Sequence, residues 1–190
     1  MNAQQKQNSI DEIFGMYKQF GVSEYVGEPV SLIEHMSQSA QLAMQAGFDE
    51  EVMLAAFFHD IGHMCVLKSE ENSMGIYGAK SHEKIGADYL RSKGFSERIA
   101  KLVENHVQAK RYLTFKHPEY FSNLSEASKK TLEYQGGRMN AEEAAQFESD
   151  PLSEISILMR RWDEEAKLTE IPLVDLEKIK SSALKALDFA

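Results

Sequence analysis

The sequence predicts an all-α fold, and three observations carry that expectation. Its four prolines, Pro29, Pro118, Pro151 and Pro172, each stand where an apolar helical pattern starts, a place where a missing N–H costs nothing. Glycines such as Gly21, Gly47 and Gly94 follow the ends of such patterns, as a left-handed terminating residue does. No stretch alternates apolar and polar residues for more than a few positions, so the strand signal is missing.

Taken in order, residues 1–10 read as a flexible, solvated start, and 11–190 as one domain. A first short helix is expected from Asp11 to Phe20. Pro29 opens the second, to about Ala46, with Ile33, Met36, Ala40, Ala43 and Met44 at three-four spacing and His35 beside that stripe. Asp49 caps a third helix, with Glu50 and Glu51 at its positive end. That helix runs through the apolar stretch Val52 to Phe58 into His59-Asp60, and Gly62 reads as its stop. Residues 64–80, with Gly75 and Gly78, read as a long loop holding one turn of helix. Ser81 is expected to cap a helix from His82 to Lys93. Ser96 would cap the next, with Ile99, Leu102, Val103 and His106 on one face. Pro118 opens a short piece, Ser125 caps another that Gly136-Gly137 ends, and Asn140 with Glu143 is a capping-box pattern. Pro151 opens a helix through Ile155, Leu158, Met159 and Trp162 to Asp163, and Pro172 the last, to about Leu187.

The chain's 190 residues suit a single domain with a well-buried core. With 43% hydrophobic and 27% charged residues it is globular rather than disordered. A net charge of -9 speaks against a nucleic-acid surface, yet leaves room for a local basic pocket that takes a small anion. Cys65 is the single cysteine, so no intrachain disulfide forms, which fits a cytoplasmic setting. Met1 to Ile10 lacks the apolar core of a signal peptide, and Val52 to Phe58 is too short to span a bilayer. No membrane partner is expected. The oligomeric state stays open, a monomer being compatible with everything read.

An imidazole and a carboxylate side by side at the end of an apolar helix are hard to explain by packing. A buried carboxylate is costly unless paired or bound to a metal. Four of the six histidines, His35, His59, His82 and His106, lie on or near helix faces or ends that could converge, with Asp60 and Asp163 as acids. Together they offer enough donors for two metal ions, with Asp60 available as a bridge. Imidazole with carboxylate suits iron, manganese or zinc. Taken singly, each has a bland alternative: His106 as a core histidine, His82 as a helix-start polar residue, Asp163 as the edge of an amphipathic helix. The set is stronger than its members.

The order His35, His59-Asp60, Asp163 resembles the signature of the HD-domain superfamily, and the added His82 and His106 resemble its dinuclear branch. The segments Tyr25-Val26-Gly27-Glu28, Leu32-Ile33-Glu34-His35, His59-Asp60-Ile61-Gly62-His63 and His106 through Tyr112 are similar to those of the small phosphonate-cleaving HD oxygenases of the PhnZ and TmpB type. The resemblance runs from about Tyr25 to Asp163. It implies a single helical HD-domain bundle with a dinuclear site, two iron ions in the Fe(II)/Fe(III) state, and O2 as co-substrate. It implies oxidative cleavage of a 1-hydroxy-2-(amino or trimethylammonio)ethylphosphonate, a small zwitterion, to phosphate and glycine or glycine betaine. Carried over, His35, His59, Asp60, His82, His106 and Asp163 would be metal ligands. Tyr25 would hold the open position until substrate arrives, and Glu28 would meet the cationic end. His63, Lys110, Ser128 and Arg160 would bind the phosphonate, with Tyr25 and His63 taking part in catalysis.

The chemistry of those residue types is consistent with these roles. A phosphonate is a compact dianion, for which Lys110 offers a point charge, Arg160 a planar fork and Ser128 a hydroxyl. Aromatic walls such as Tyr25, Tyr77 or Tyr112 would favour a trimethylated amine through cation–π contact. The main rival is a metal-dependent HD phosphohydrolase acting on a nucleotide or phosphate monoester. Tyr25 with Glu28 leans against it, because an anion near the substrate suits a zwitterion better. A degenerate, non-catalytic HD module is the second rival, and the complete donor set leans against that.

Overall fold

The computed structural model describes residues 1–25, 27–66 and 79–187. Among them the regular elements are helices: α1 (Ala3–Phe20), α2 (Leu32–Gln45), α3 (Glu50–Phe58), α4 (Ile61–Val66), α5 (His82–Ser92), α6 (Glu97–Lys116), α7 (Pro118–Asn123), α8 (Glu126–Tyr134), α9 (Ala141–Ser149), α10 (Ser153–Glu165) and α11 (Leu176–Ala186). An isolated antiparallel bridge, Glu24 to Ser31, closes the loop before α2. No helix among the described residues is long and apolar enough to cross a membrane.

Helix α6 is the spine of the bundle. It packs against α5, α10 and α3, while α2 lies on α3 and α10, and α4 lies on α5. The main core gathers the buried faces of these helices with α1 and α11. Phe57 and Phe58 are fully buried in it, each contributing roughly 1.5–3 kcal/mol by burial. Tyr17 of α1 stacks on Phe57 at 4.9 Å and gives its hydroxyl to the Phe57 carbonyl at 3.2 Å. The end of α3, from which His59 and Asp60 project, is thereby pinned from behind. A smaller cluster of Ala109, Tyr112, Leu113, Met139, Ala144 and Phe147 secures the far half of α6 against α9.

Several helix boundaries depart from expectation, each for a local reason. Helix α1 starts at Ala3 rather than Asp11, because Asn2 and Gln5 cap it reciprocally, and its Ile10 is wholly buried. Helix α2 starts after Ser31, not at Pro29, since Ser31 and Glu34 form a capping box. Of the four prolines only Pro118 is the first residue of its helix. Pro151 precedes α10 in a turn held by Asp150, and α11 waits for the Asp175 cap. Ser81 makes no side-chain cap; it sits in the left-handed region at φ 58°. Gly62 does not stop a helix but lies within α4. A Cβ there would sit 1.9 Å from the His82 carbonyl oxygen, so glycine is what lets α4 rest directly on α5. Of the loop expected at 64–80, residues 64–66 are helical, while 67–78, Tyr77 among them, lie outside the described residues.

Candidate metal centre

Five helical elements deliver six side chains to one point. His35 comes from α2, His59 from the C-cap of α3, Asp60 from the break before α4, His82 from the start of α5, His106 from mid-α6 and Asp163 from late α10. All six are buried. They form two adjoining pockets. In the first, His35 Nε2 lies 3.0 Å from His59 Nε2, 3.3 Å from Asp163 Oδ1 and 3.7 Å from Asp60 Oδ2. In the second, His82 Nε2 lies 3.1 Å from His106 Nε2 and 3.2 Å from Asp60 Oδ1. Asp60 turns one oxygen to each pocket.

The Nδ1 atoms decide what the Nε2 atoms can be. His35 Nδ1 donates to the Ala166 carbonyl at 2.9 Å, His59 to Ala56 at 2.8 Å, His82 to Ala79 at 3.3 Å and His106 to Val103 at 2.6 Å. A carbonyl only accepts, so each neutral ring carries its proton on Nδ1. Its Nε2 lone pair then faces the lone pair of another ring about 3 Å away. Asp60 Oδ2 and Asp163 Oδ1 are likewise buried and without a hydrogen-bond donor. A converging set of lone pairs is repulsive unless a cation sits among them. Backbone-anchored imidazoles with carboxylates are the way proteins orient ligands for iron, manganese or zinc.

The electrostatics lead to the same requirement. Burial pushes His106 down to about 3, with the charge of His82 next in weight, and burial also lowers His59. Burial is the largest single influence on His35 and His82 too and works downward, but the combined pull of the neighbouring carboxylates, Asp163 foremost for His35 and Asp60 for His82, raises both. In each facing pair one ring is raised and the other lowered, as like groups crowded into one buried site must be. Burial alone would raise Asp60 and Asp163. The histidine charges around Asp60, and Arg160 beside Asp163, instead hold both well below the carboxylate range.

His63 is wired the other way. Its Nδ1 accepts the Ala79 N–H at 3.1 Å, and burial followed by the His82 charge takes it down to about 3. The neutral ring therefore carries its proton on Nε2, which lies 3.8 Å from Asp60 Oδ1. His63 stacks flat on His82, with centroids 4.0 Å apart, and offers the centre a donor where the other four offer lone pairs. Tyr25 stacks in the same manner on His35 at 4.2 Å. Burial first, then the Asp60 and Asp163 charges, keep its phenol protonated.

Of the remaining expected residues, Arg160, Lys110 and Glu28 are tied to other side chains. Arg160 gives Nε to the Tyr120 hydroxyl at 3.0 Å and pairs with Asp163 and, at 3.0 Å, with Glu164. Lys110 is 3% exposed and donates to Thr131 at 2.7 Å and Gln135 at 3.0 Å. Burial, then the Arg160 charge, lowers its pKa far below the usual lysine range. Thr131 in turn donates to the Ser128 carbonyl. Ser128 lines a cavity of about 180 Å3 with Tyr120, Ser125, Glu164 and Lys167. Glu28 sits at its edge, accepting from Lys167 and Ser125. The turn that carries Tyr25 and Glu28 is closed by Glu28 N–H to the Tyr25 carbonyl at 2.9 Å. Gly27 at φ 81° lets it approach α8, where a Cβ would meet that of Ala127 at 2.9 Å.

Sequence reasoning missed Lys167, Tyr120, Glu164 and Gln38. Glu164 stands four residues after Arg160 on α10, so helical spacing was an available signal for it, whereas Lys167 lies beyond the helix end. Gln38 is a buried polar residue whose amide pairs with both the N–H and the carbonyl of Leu168, at 3.1 and 2.9 Å. It braces the segment that presents the Ala166 carbonyl and Lys167.

Comparison with known proteins places this arrangement in context. The family model described as the HD domain matches residues 32–168. An uncharacterized protein of Acanthamoeba polyphaga mimivirus is 42% identical over 186 residues, covering 98% of this chain and 85% of that protein. The glycine-betaine-forming [1-hydroxy-2-(trimethylamino)ethyl]phosphonate dioxygenase of Leisingera caerulea is 42% identical over 170 residues, covering 88% of this chain and 85% of the relative. The hydroxymethylphosphonate dioxygenase of Gimesia maris is 34% identical over 179 residues, with 94% and 88% covered.

Proposed function

The chain belongs to the HD domain family, and from that premise we propose that it is an O2-dependent phosphonate dioxygenase. Its substrate is a small 1-hydroxyphosphonate zwitterion of the 2-amino or 2-trimethylammonio class. The products are phosphate and the matching carboxylate, glycine or glycine betaine. The two oxygen atoms of O2 balance the conversion of a C1 hydroxyl carbon bearing phosphorus into a carboxylic acid plus phosphate. The observation that carries this reading is Asp60, which turns one oxygen to each of two imidazole pockets while buried Lys110 and Arg160 stand around them.

His35, His59, Asp163 and one oxygen of Asp60 would hold one metal ion; the other oxygen, His82 and His106 would hold the second. Iron in both pockets would supply the oxygen activation and electron transfer that the reaction needs. The side chains do the rest. His63 donates Nε2–H to a phosphonate oxygen. Lys110 and Arg160 neutralise the dianion, and the Ser128 hydroxyl fixes its third oxygen. Glu28 takes the cationic end and so sets which C1 hydrogen faces the metals. Tyr25, protonated above the His35 ring, covers that face and gives way to the substrate hydroxyl.

The test is phosphate release from iron-loaded protein and a 2-amino- or 2-trimethylammonio-1-hydroxyethylphosphonate, with and without air. Release only in air is expected. Release that is indifferent to O2 would mean hydrolytic rather than oxidative C–P cleavage, and either that or no release in air with either substrate would overturn the oxygenase reading.

A further inference from the structure

Glu28, the residue assigned to the substrate's cationic end, already has partners. Lys167 Nζ lies 2.6 Å and Ser125 Oγ 2.8 Å from Glu28 Oε1. The Lys167 and Glu28 side chains are only 17% and 9% exposed. Lys167 also lines the cavity that Ser128 lines, and its charge reaches Lys110. The ion pair thus sits beside that cavity, with its ammonium lining it and acting on Lys110, and its carboxylate at the edge.

Such a pair sets a rule for ligands. Breaking a mostly buried ion pair is costly when one partner is left alone. A bare cation arriving at Glu28 would strand Lys167 beside Lys110 and Arg160. A phosphonate with a neutral tail that drew Lys167 away would strand Glu28. A zwitterion re-pairs both: its cation takes Glu28 and its phosphonate takes Lys167.

We propose that Lys167 is a specificity-determining residue that exchanges Glu28 for the substrate's phosphonate, so that the site selects ligands carrying both a cation and an anion. This rests on the phosphonate reading above and adds to it a residue and a rule of selection. Gln38 fixes the anchor of this residue, since its paired bonds to Leu168 hold the backbone next to Lys167.

The experiment is anaerobic calorimetric binding to iron-loaded protein, so that no turnover occurs. The two probes are 1-hydroxy-2-aminoethylphosphonate and hydroxymethylphosphonate, which lacks the cation. Wild type is expected to prefer the zwitterion by at least tenfold. Glu28→Gln should weaken the zwitterion by tenfold or more, yet tighten hydroxymethylphosphonate several-fold, because Lys167 is released for the anion. Adding Lys167→Met should abolish that gain. A merely structural Lys167 predicts no tightening in Glu28→Gln. A flat or weakened response there, or a gain that survives in the double variant, overturns the exchange. Thermal melting of each variant identifies folding defects, and Lys167→Gln in place of Lys167→Met gives a second, polar double variant on which the same outcome is expected. If wild type binds neither phosphonate, the functional reading itself fails, an outcome distinct from binding without exchange.

Discussion

The imidazoles of the metal centre and the charged residues around it are held by different means. Each ring that points a lone pair inward leans on a main-chain carbonyl: Ala56, Ala79, Val103 or Ala166. Lys110, Arg160 and Glu28 lean on other side chains: Thr131 and Gln135, Tyr120 and Glu164, Lys167 and Ser125. Main-chain anchors move only if the backbone moves, whereas side-chain partners can be traded without disturbing the fold. On the proposed function, a site built this way would keep its metal ligands fixed while the charged residues around them exchange partners.

The harshest way to break the fixed half is Asp60→Asn, which removes the charge shared by both pockets. Iron affinity should fall beyond the tenfold to hundredfold typical of supporting residues. Metal analysis reads this directly: wild-type stoichiometry in the variant would show that Asp60 does not bridge. Next comes Gly62→Ala, whose new Cβ meets the His82 carbonyl oxygen at 1.9 Å. It should cost about 3 kcal/mol by urea unfolding and also disturb the stack of His63 on His82. A silent variant would mean that the contact between α4 and α5 is slack.

Most of the fixed half was legible before any coordinates, because its elements announce themselves locally. His59-Asp60 follows an apolar run, and Ser96 and Asp49 are plain caps that the structure uses, to Ile99 and Val52. The departures are also local: Pro29 and Pro151 stand just ahead of their helices rather than in them, and Gly62 lies inside α4. The exchangeable half was less legible. Nothing in a linear pattern joins Glu28 to Lys167, or Lys110 to Thr131 and Gln135, because those pairings depend on where α8 and the end of α10 come to rest.

Gln38→Ala tests the seam between the halves. Leaving the Leu168 N–H and carbonyl without their amide should cost about 1–3 kcal/mol. It should weaken phosphonate binding more than iron binding, read by calorimetry and metal analysis; equal losses would erase the distinction drawn above. The gentlest probe is acid. In the chelated protein, His63 and His106 ionise near 3, against 6.5 in the unfolded chain. Below pH 6.5 the unfolded chain binds protons that these rings refuse, so stability should fall with pH by up to about 1.4 kcal/mol per unit for each ring. His35 and His82 are raised, so their contribution is present below 6.5 and lost as pH rises through their native values. Urea midpoints that stay level from pH 6.5 to 4.5 would contradict this assignment of protons.

The end of α10 and the two residues after it have one more implication. Within five residues they supply the Asp163 carboxylate, the carbonyl that orients His35 and the ammonium opposite Glu28. On the proposed roles, loading and recognition would share this short segment, and the first should precede the second. A chain stripped of its ions would greet its organic guest poorly even at groups that never touch an ion, and reconstitution would restore both capacities together.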